Sequence, residues 1–429
     1  MSRTLLRKVH VIDPGGPMHG EVVDILVHNG RIERIGKRIT VAKAQVLSHP
    51  GMQVSPGWVD LRAHFRDPGE EYKEGLTNGL NAAAAGGFTA VCVLPSTDPP
   101  IDSRSGVEYL LRKAAGHPVR TLPLGALTKG LAGGRLAELF DLHQAGAVAF
   151  SDDQAGPSKP RSLLLALQYL LPFQGLAMYH PLEADLASGA QMHEGPMSAR
   201  LGMRGLPAMA ESTALARAIT LLEYSGSRMH VATISTAESV DLVRSAKAKG
   251  LAITASVAAH NLLLDDGCLR GFDTFYKVMP PLRDDHHIEA LREGVKDGTI
   301  DCIVSDHRPE DVEHKKLEFA RAAFGMIGLE TSFAVANTAL KGRMTARRIV
   351  ERFCHGPRKA LGLPVPHLLE GAEAELTLFD PEWEWTFERS DIVGRSSNTP
   401  FIGQPFTGRP LGILAGGEVR TYGPLRAKR

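Results

Sequence analysis

The chain has 429 residues, 43% of them hydrophobic, enough to bury one large core and a smaller one beside it. Its 49 basic and 48 acidic residues nearly cancel, which argues against nucleic acid or an anionic membrane and leaves a small molecule or a protein as partner. Four cysteines, Cys92, Cys268, Cys302 and Cys354, are far apart and lack metal-finger spacing, so reduced thiols of a cytoplasmic protein are expected.

Met1 to His10 lacks the apolar core of a signal peptide, and no apolar run reaches membrane-spanning length, so a soluble chain is expected. Residues 4–50 read as short alternating strands, with Val22 to Val27 and Arg31 to Ile35 joined at Asn29-Gly30 as a hairpin. From Val54 the pattern changes to apolar strands alternating with amphipathic stretches. Eight strands are predicted: Val54 to Phe65, Thr89 to Pro95, Thr121 to Leu127, Gly146 to Asp153, Gly175 to Pro181, Arg228 to Ser235, Leu251 to Val257 and Asp301 to His307.

Helices fall between them. Lys73 to Ala85 is alanine-rich and stops at Gly86-Gly87, while Ser235-Thr236-Ala237-Glu238 resembles a capping box before Val240 to Lys249. After about Leu363 short β segments return, including Ala374 to Phe379, and Leu411 to Ala415 turning at Gly416-Gly417 into Glu418 to Tyr422. The expected fold is α/β: a TIM-like (β/α)₈ barrel over 54–364, with a small composite β module from 1–53 and 365–429.

Polar residues collect at the carboxyl ends of these strands, where barrel enzymes assemble their sites. Strand one ends in His64 and Arg66, strand four in Asp152 and Asp153, strand five in His180, and strand eight in Asp306 and His307. Histidine with carboxylate is the usual donor set for a hydrolytic zinc or similar divalent ion. Any one of them alone reads more simply as structural; the repetition at four strand ends carries the argument.

Strand one contains Asp60-Leu61-Arg62-Ala63-His64, an Asp-x-His-x-His metal motif with arginine at the first histidine position. Arginine is a permanent cation without a lone pair to give a metal.

With Arg66-Asp67-Pro68-Gly69, Ala85-Gly86-Gly87-Phe88-Thr89, Ala149-Phe150-Ser151-Asp152-Asp153, Pro280-Pro281-Leu282-Arg283, Ser305-Asp306-His307 and Asn398-Thr399-Pro400-Phe401, the chain resembles the dihydroorotases of the amidohydrolase superfamily nearly end to end. The resemblance implies reversible cyclisation of carbamoyl aspartate to dihydroorotate in pyrimidine synthesis. It makes His64, Asp153, His180 and Asp306 the counterparts of metal ligands, with Asp306 also the catalytic acid and base. Arg66, Ser96 and His307 fall at substrate-binding positions, Arg66 as the carboxylate anchor.

Against that pattern, Arg62 and Thr233 stand where the family has ligand histidines. Ser96 and Met279 replace asparagines, Arg308-Pro309-Glu310 replaces Ala-Pro-His, and Pro181-Leu182 replaces Cys-Glu. A binuclear centre is not expected, and at most one zinc or similar divalent ion is. Two readings stand. In one, the chain is a dihydroorotase-like cyclic amidohydrolase with a single metal. In the other, Arg62 pairs with Asp153 or Asp306 in place of metal, and the barrel is a non-catalytic subunit scaffolding a partner such as aspartate transcarbamoylase. A homo-oligomer is expected in both.

Other features have plain readings. His286-His287 is expected on a solvated loop, and Trp383 and Trp385 alternate with Glu382 and Glu384 as in a half-buried strand. Lys315-Lys316 and Arg343 to Arg348 are expected on solvated helix faces.

Overall fold

Eight parallel strands follow one another around a barrel in the computed structural model, which describes residues 3–156, 159–423 and 425. They are Trp58–Ala63, Phe88–Val93, Arg120–Gly125, Ala149–Phe150, Ala177–Tyr179, Met229–Val231, Ile253–Ala258 and Cys302–Val304. A parallel bridge between Ala63 and His307 closes the ring, and the His64 amide donates to the His307 carbonyl at 2.8 Å. Each predicted strand has a counterpart, and all but the seventh end earlier than expected because the loops take over.

Alternate side chains divide the strands between two apolar sets, as a pleated strand buried on both faces requires. Val91 and Val93 join the helical residues Leu76, Leu80 and Leu110, whereas Ala90, Cys92, Leu122, Leu124 and Val304 pack with one another. The helices begin and end where local chemistry dictates. Thr236 caps Ala237–Ala248 by accepting from the Ser239 amide, and the alanine-rich helix Leu76–Ala85 stops at Gly86.

The strand predicted over 54–65 is two strands. Gln53–Pro56 pairs with Arg3–Val11 and Leu376–Thr386 in a mixed sheet built from both ends of the chain, whereas Trp58–Ala63 enters the barrel. Gly57 is the join, and glycine is required there because a Cβ would meet Thr89 Oγ1 at 2.0 Å. Arg358, fully buried, fastens the two sheets by donating to the Gly57 carbonyl at 2.5 Å and to Glu375 at 2.6 Å. The Trp58 ring packs on Phe353 and on Phe379 of the mixed sheet, with centroids 5.5 and 5.3 Å apart.

Two hairpins in that sheet turn as expected, with Asn29, Gly30, Gly416 and Gly417 all at positive φ. Trp383 and Trp385 lie half-buried on Leu376–Thr386, between exposed glutamates. Two plain readings are corrected. His286-His287 lies in the helix Asp285–Asp297, whose turn carries His287 inward to burial. Lys315 is buried, its ammonium donating to the Ala323 and Gly325 carbonyls at 2.9 and 3.0 Å. All four cysteines are free, and among the described residues no helix is long and apolar enough to cross a membrane.

Candidate functional site

The strand ends turn sharply at the barrel mouth, where Arg66, Asp153, Thr233 and Asp306 all have φ between 45° and 58°. Left-handed backbone at non-glycine residues costs of order 1–3 kcal/mol each and concentrates at sites that need a side chain re-aimed. Here it directs those side chains across the mouth.

Arg62 lies at its centre, 2% exposed, and bridges two strands. Its Nη2 donates to Asp153 Oδ1 at 2.6 Å and its Nε to Asp306 Oδ1 at 2.7 Å. Asp153 receives more: Arg308 Nη2 lies 2.9 and 2.8 Å from its two oxygens, and Ser96 Oγ donates to Oδ2 at 2.6 Å. Burial pushes the Asp153 carboxyl up, but Arg308 and Arg62 outweigh it and hold the group well below the usual carboxylate range. The same attraction keeps the buried Arg62 charged: burial opposes its charge, and Asp153 and Asp306 raise its pKa above the ordinary value.

His64 and His230 have both ring nitrogens engaged, and His180 and His307 have one each. His64 Nδ1 accepts the Arg66 amide at 3.0 Å, and its Nε2 lies 2.8 Å from the Ser96 carbonyl. Nε2 therefore carries the proton, and neither nitrogen keeps a lone pair for a metal. His180 Nδ1 meets Thr233 Oγ1 at 3.1 Å, and burial, with Arg62 next in effect, lowers its pKa to about 3. His307 Nδ1 accepts from the Gly328 amide at 3.2 Å, while its Nε2 is buried without a partner among the described residues. His230 is bound to Thr254 and Ser256.

Arg66 is likewise engaged. It donates to the Pro309 carbonyl and to Glu70, both at 3.0 Å, and pairs through Nη2 with Glu310, a carboxylate that also lies 2.9 Å from Lys73. Met279 offers its carbonyl to Gln154 across a cis bond to Pro280.

Donors that share one ion at the usual ~2.0–2.3 Å must lie within about 4.6 Å of one another. Among the described residues no three of His64, Asp153, His180 and Asp306 bring ligand atoms within 4.8 Å; the one trio that does is His193, Asp284 and His287. That trio is also unsuited. His193 Nδ1 accepts from Arg283 and His287 Nδ1 from the Ala237 amide, which places the proton of each neutral ring on the nitrogen left over. As arranged, the mouth does not fit a divalent ion, because a guanidinium fills the space between the carboxylates.

The structure thus brings Arg62, Asp153, Asp306 and Ser96 together, with His64 and Arg66 alongside. Sequence reasoning marked Arg308 and Glu310 only as departures from a pattern. Their charges, set two residues apart beside His307, were the available signal.

A closed eight-stranded parallel barrel joined to a mixed sheet from both ends of the chain is a fold that solved structures share. L-hydantoinase from Arthrobacter aurescens superposes with a TM-score of 0.84 at 24% identity, over 98% of this chain and 96% of that one. D-hydantoinase from a Thermus species superposes at 0.79 and 22%, over 98% and 97%. At the sequence level residues 51–239 match the dihydro-orotase-like family. The chain is 40% identical to a dihydroorotase of Syntrophotalea carbinolica over 98% of its own length and 99% of the relative's. A Pelotomaculum thermopropionicum dihydroorotase is 39% identical over 97% and 98%. The chain belongs to the dihydroorotase family.

Proposed function

We propose that this dihydroorotase-family barrel is a metal-free, non-catalytic subunit whose fold is kept as a scaffold, with aspartate transcarbamoylase the first partner to test. The observation that carries the reading is Arg62, whose guanidinium spans Asp153 and Asp306 where a cation would otherwise balance them. Buried carboxylates need a counter-charge, and an arginine supplies it without polarising a carbonyl or activating water. Arg308 adds a second permanent cation on Asp153. Arg66, the expected carboxylate anchor, is paired internally with Glu310.

A second reading, a cyclic amidohydrolase with one ion, Asp306 as acid and base and Arg66 and Ser96 as substrate contacts, draws support from the family membership and from Asp306, which Arg62 engages through Oδ1 alone. It requires Arg62 to swing away from both carboxylates and leave them to a metal.

Metal analysis after dialysis against zinc, with a dihydroorotate hydrolysis assay on the same sample, separates the two. The scaffold reading expects well under one zinc per chain and no turnover, together with co-purification of the aspartate transcarbamoylase of the same organism. Stoichiometric zinc with hydrolysis overturns it.

A further inference from the structure

Arg308, Pro309 and Glu310 lie in the loop after the last barrel strand, following His307, and carry two opposite charges into the mouth. Arg308 faces an acidic partner, with Nη2 2.9 and 2.8 Å from the two oxygens of Asp153. Glu310 faces basic partners, Arg66 on one oxygen and Lys73, 2.9 Å away, on the other. Between them the Pro309 carbonyl accepts Arg66 Nε at 3.0 Å. Arg308 meets an anion from the loop after the fourth strand, whereas Pro309 and Glu310 meet cations from the segment after the first, so three consecutive residues cover both the acidic and the basic side of the mouth.

The segment is also fixed from behind. Asn398 donates to the Arg308 carbonyl at 3.1 Å and accepts the Glu310 amide at 3.0 Å. The returning chain packs so tightly that a Cβ at Gly325 would meet the Arg308 carbonyl at 2.7 Å. Two buried lysines brace that return: Lys277 donates to the Phe319 carbonyl at 2.6 Å, and Lys315 to those of Ala323 and Gly325. Such bracing leaves little freedom for the segment to swing out.

We propose that Arg308-Pro309-Glu310 is an internal plug, in which Glu310 occupies a latent binding site for a small carboxylate on Arg66 and Lys73 while Arg308 occupies the cation position on Asp153. The plug rests on the metal-free reading and predicts that restoring ligand histidines does not by itself reopen the mouth. Removing the Glu310 carboxylate leaves two buried cations sharing Glu70, and an external carboxylate then gains what Glu310 supplied.

The test compares wild type and Glu310→Ala by calorimetric titration and thermal melting with L-dihydroorotate and with acetate. Glu310→Ala is expected to bind dihydroorotate at least about tenfold more tightly than wild type. Its melting temperature should rise with either carboxylate, and wild type should show neither response. If Glu310→Ala does not fold, Glu310→Gln keeps the side-chain volume and removes the charge, and the same ordering is expected at smaller size. Equal binding by wild type and variant, or no gain in a folded variant, overturns the plug. On the cation side, Arg308→Ala added to Arg62→His/Thr233→His should raise zinc uptake at least about tenfold; unchanged uptake removes Arg308 from the proposal. Zinc in the wild-type protein sinks the metal-free reading, whereas a zinc-free wild type with no ligand gain in the variants sinks the plug alone.

Discussion

Arg62 Nη2 lies 2.6 Å from Asp153 Oδ1, although they are 91 positions apart in the chain and come from non-adjacent strands of the barrel. The first barrel strand carries the cation and the loop after the fourth carries the anion. Arg62 gives its Nε to Asp306, and so ties the barrel across its mouth at the place where the strand ends would otherwise present like charges to one another.

Removing that tie is expected to be costly. Arg62→Ala leaves Asp306 buried without its guanidinium and should lower stability by about 3–5 kcal/mol, the range for breaking a buried ion pair by deleting one partner. Adding Asp306→Asn should return part of the loss, because the stranded charge is then gone. Urea unfolding measures both; a loss under about 1 kcal/mol for Arg62→Ala would contradict the structural role given to this residue.

Chelation offers a second check. On the metal-free reading proposed above a divalent ion adds nothing to the fold, so EDTA should leave the melting temperature unchanged and added zinc should not raise it. A rise that scales with zinc concentration would show a native-state metal site.

Arg62→His with Thr233→His supplies two imidazoles at the expected ligand positions. Asp153 nonetheless keeps Arg308 on both oxygens and Ser96 on one, so zinc uptake by this double variant is expected to stay well below one ion per chain. Full occupancy, measured by elemental analysis after gel filtration, would mean that Arg308 yields readily to a metal.

Next to Lys73 in the chain, Glu74 is buried near Glu330, and the two accept the amides of residues 393–396. Burial, with Glu330 adding to it, pushes the Glu74 carboxyl up to about 7. A carboxyl whose folded pKa is raised contributes most stability below its unfolded pKa and loses that contribution as pH rises through the folded value. Relative to Glu74→Gln, wild type should therefore gain a few degrees in melting temperature between about pH 8 and about pH 5.5. A constant difference across that range would show that Glu74 does not titrate there.

Much of the fold was legible because its signals are local. The apolar runs, the cap at Thr236, the Asn29-Gly30 turn and the alternation at Trp383 and Trp385 each depend on a few neighbouring residues. Where local pattern misled, a long-range contact had decided the outcome. Gln53–Pro56 reads as part of the next strand until Leu376–Thr386 pairs with it. Lys315 reads as a solvated helix charge until the carbonyls of residues 323 and 325 are folded over it.

The candidate site divides along the same line. By itself the sequence determined the family, the eight strands and the identities at their ends, including the arginine at 62 and the threonine at 233, because residue type and spacing are written in the chain. Only the tertiary structure decided how the charges pair: Arg62 with both Asp153 and Asp306, Arg308 with Asp153 across 155 residues, and Glu310 with Arg66 across 244. Pairing depends on which strand ends converge, and barrel closure, joining Ala63 to His307, fixes that convergence through contacts no local segment contains.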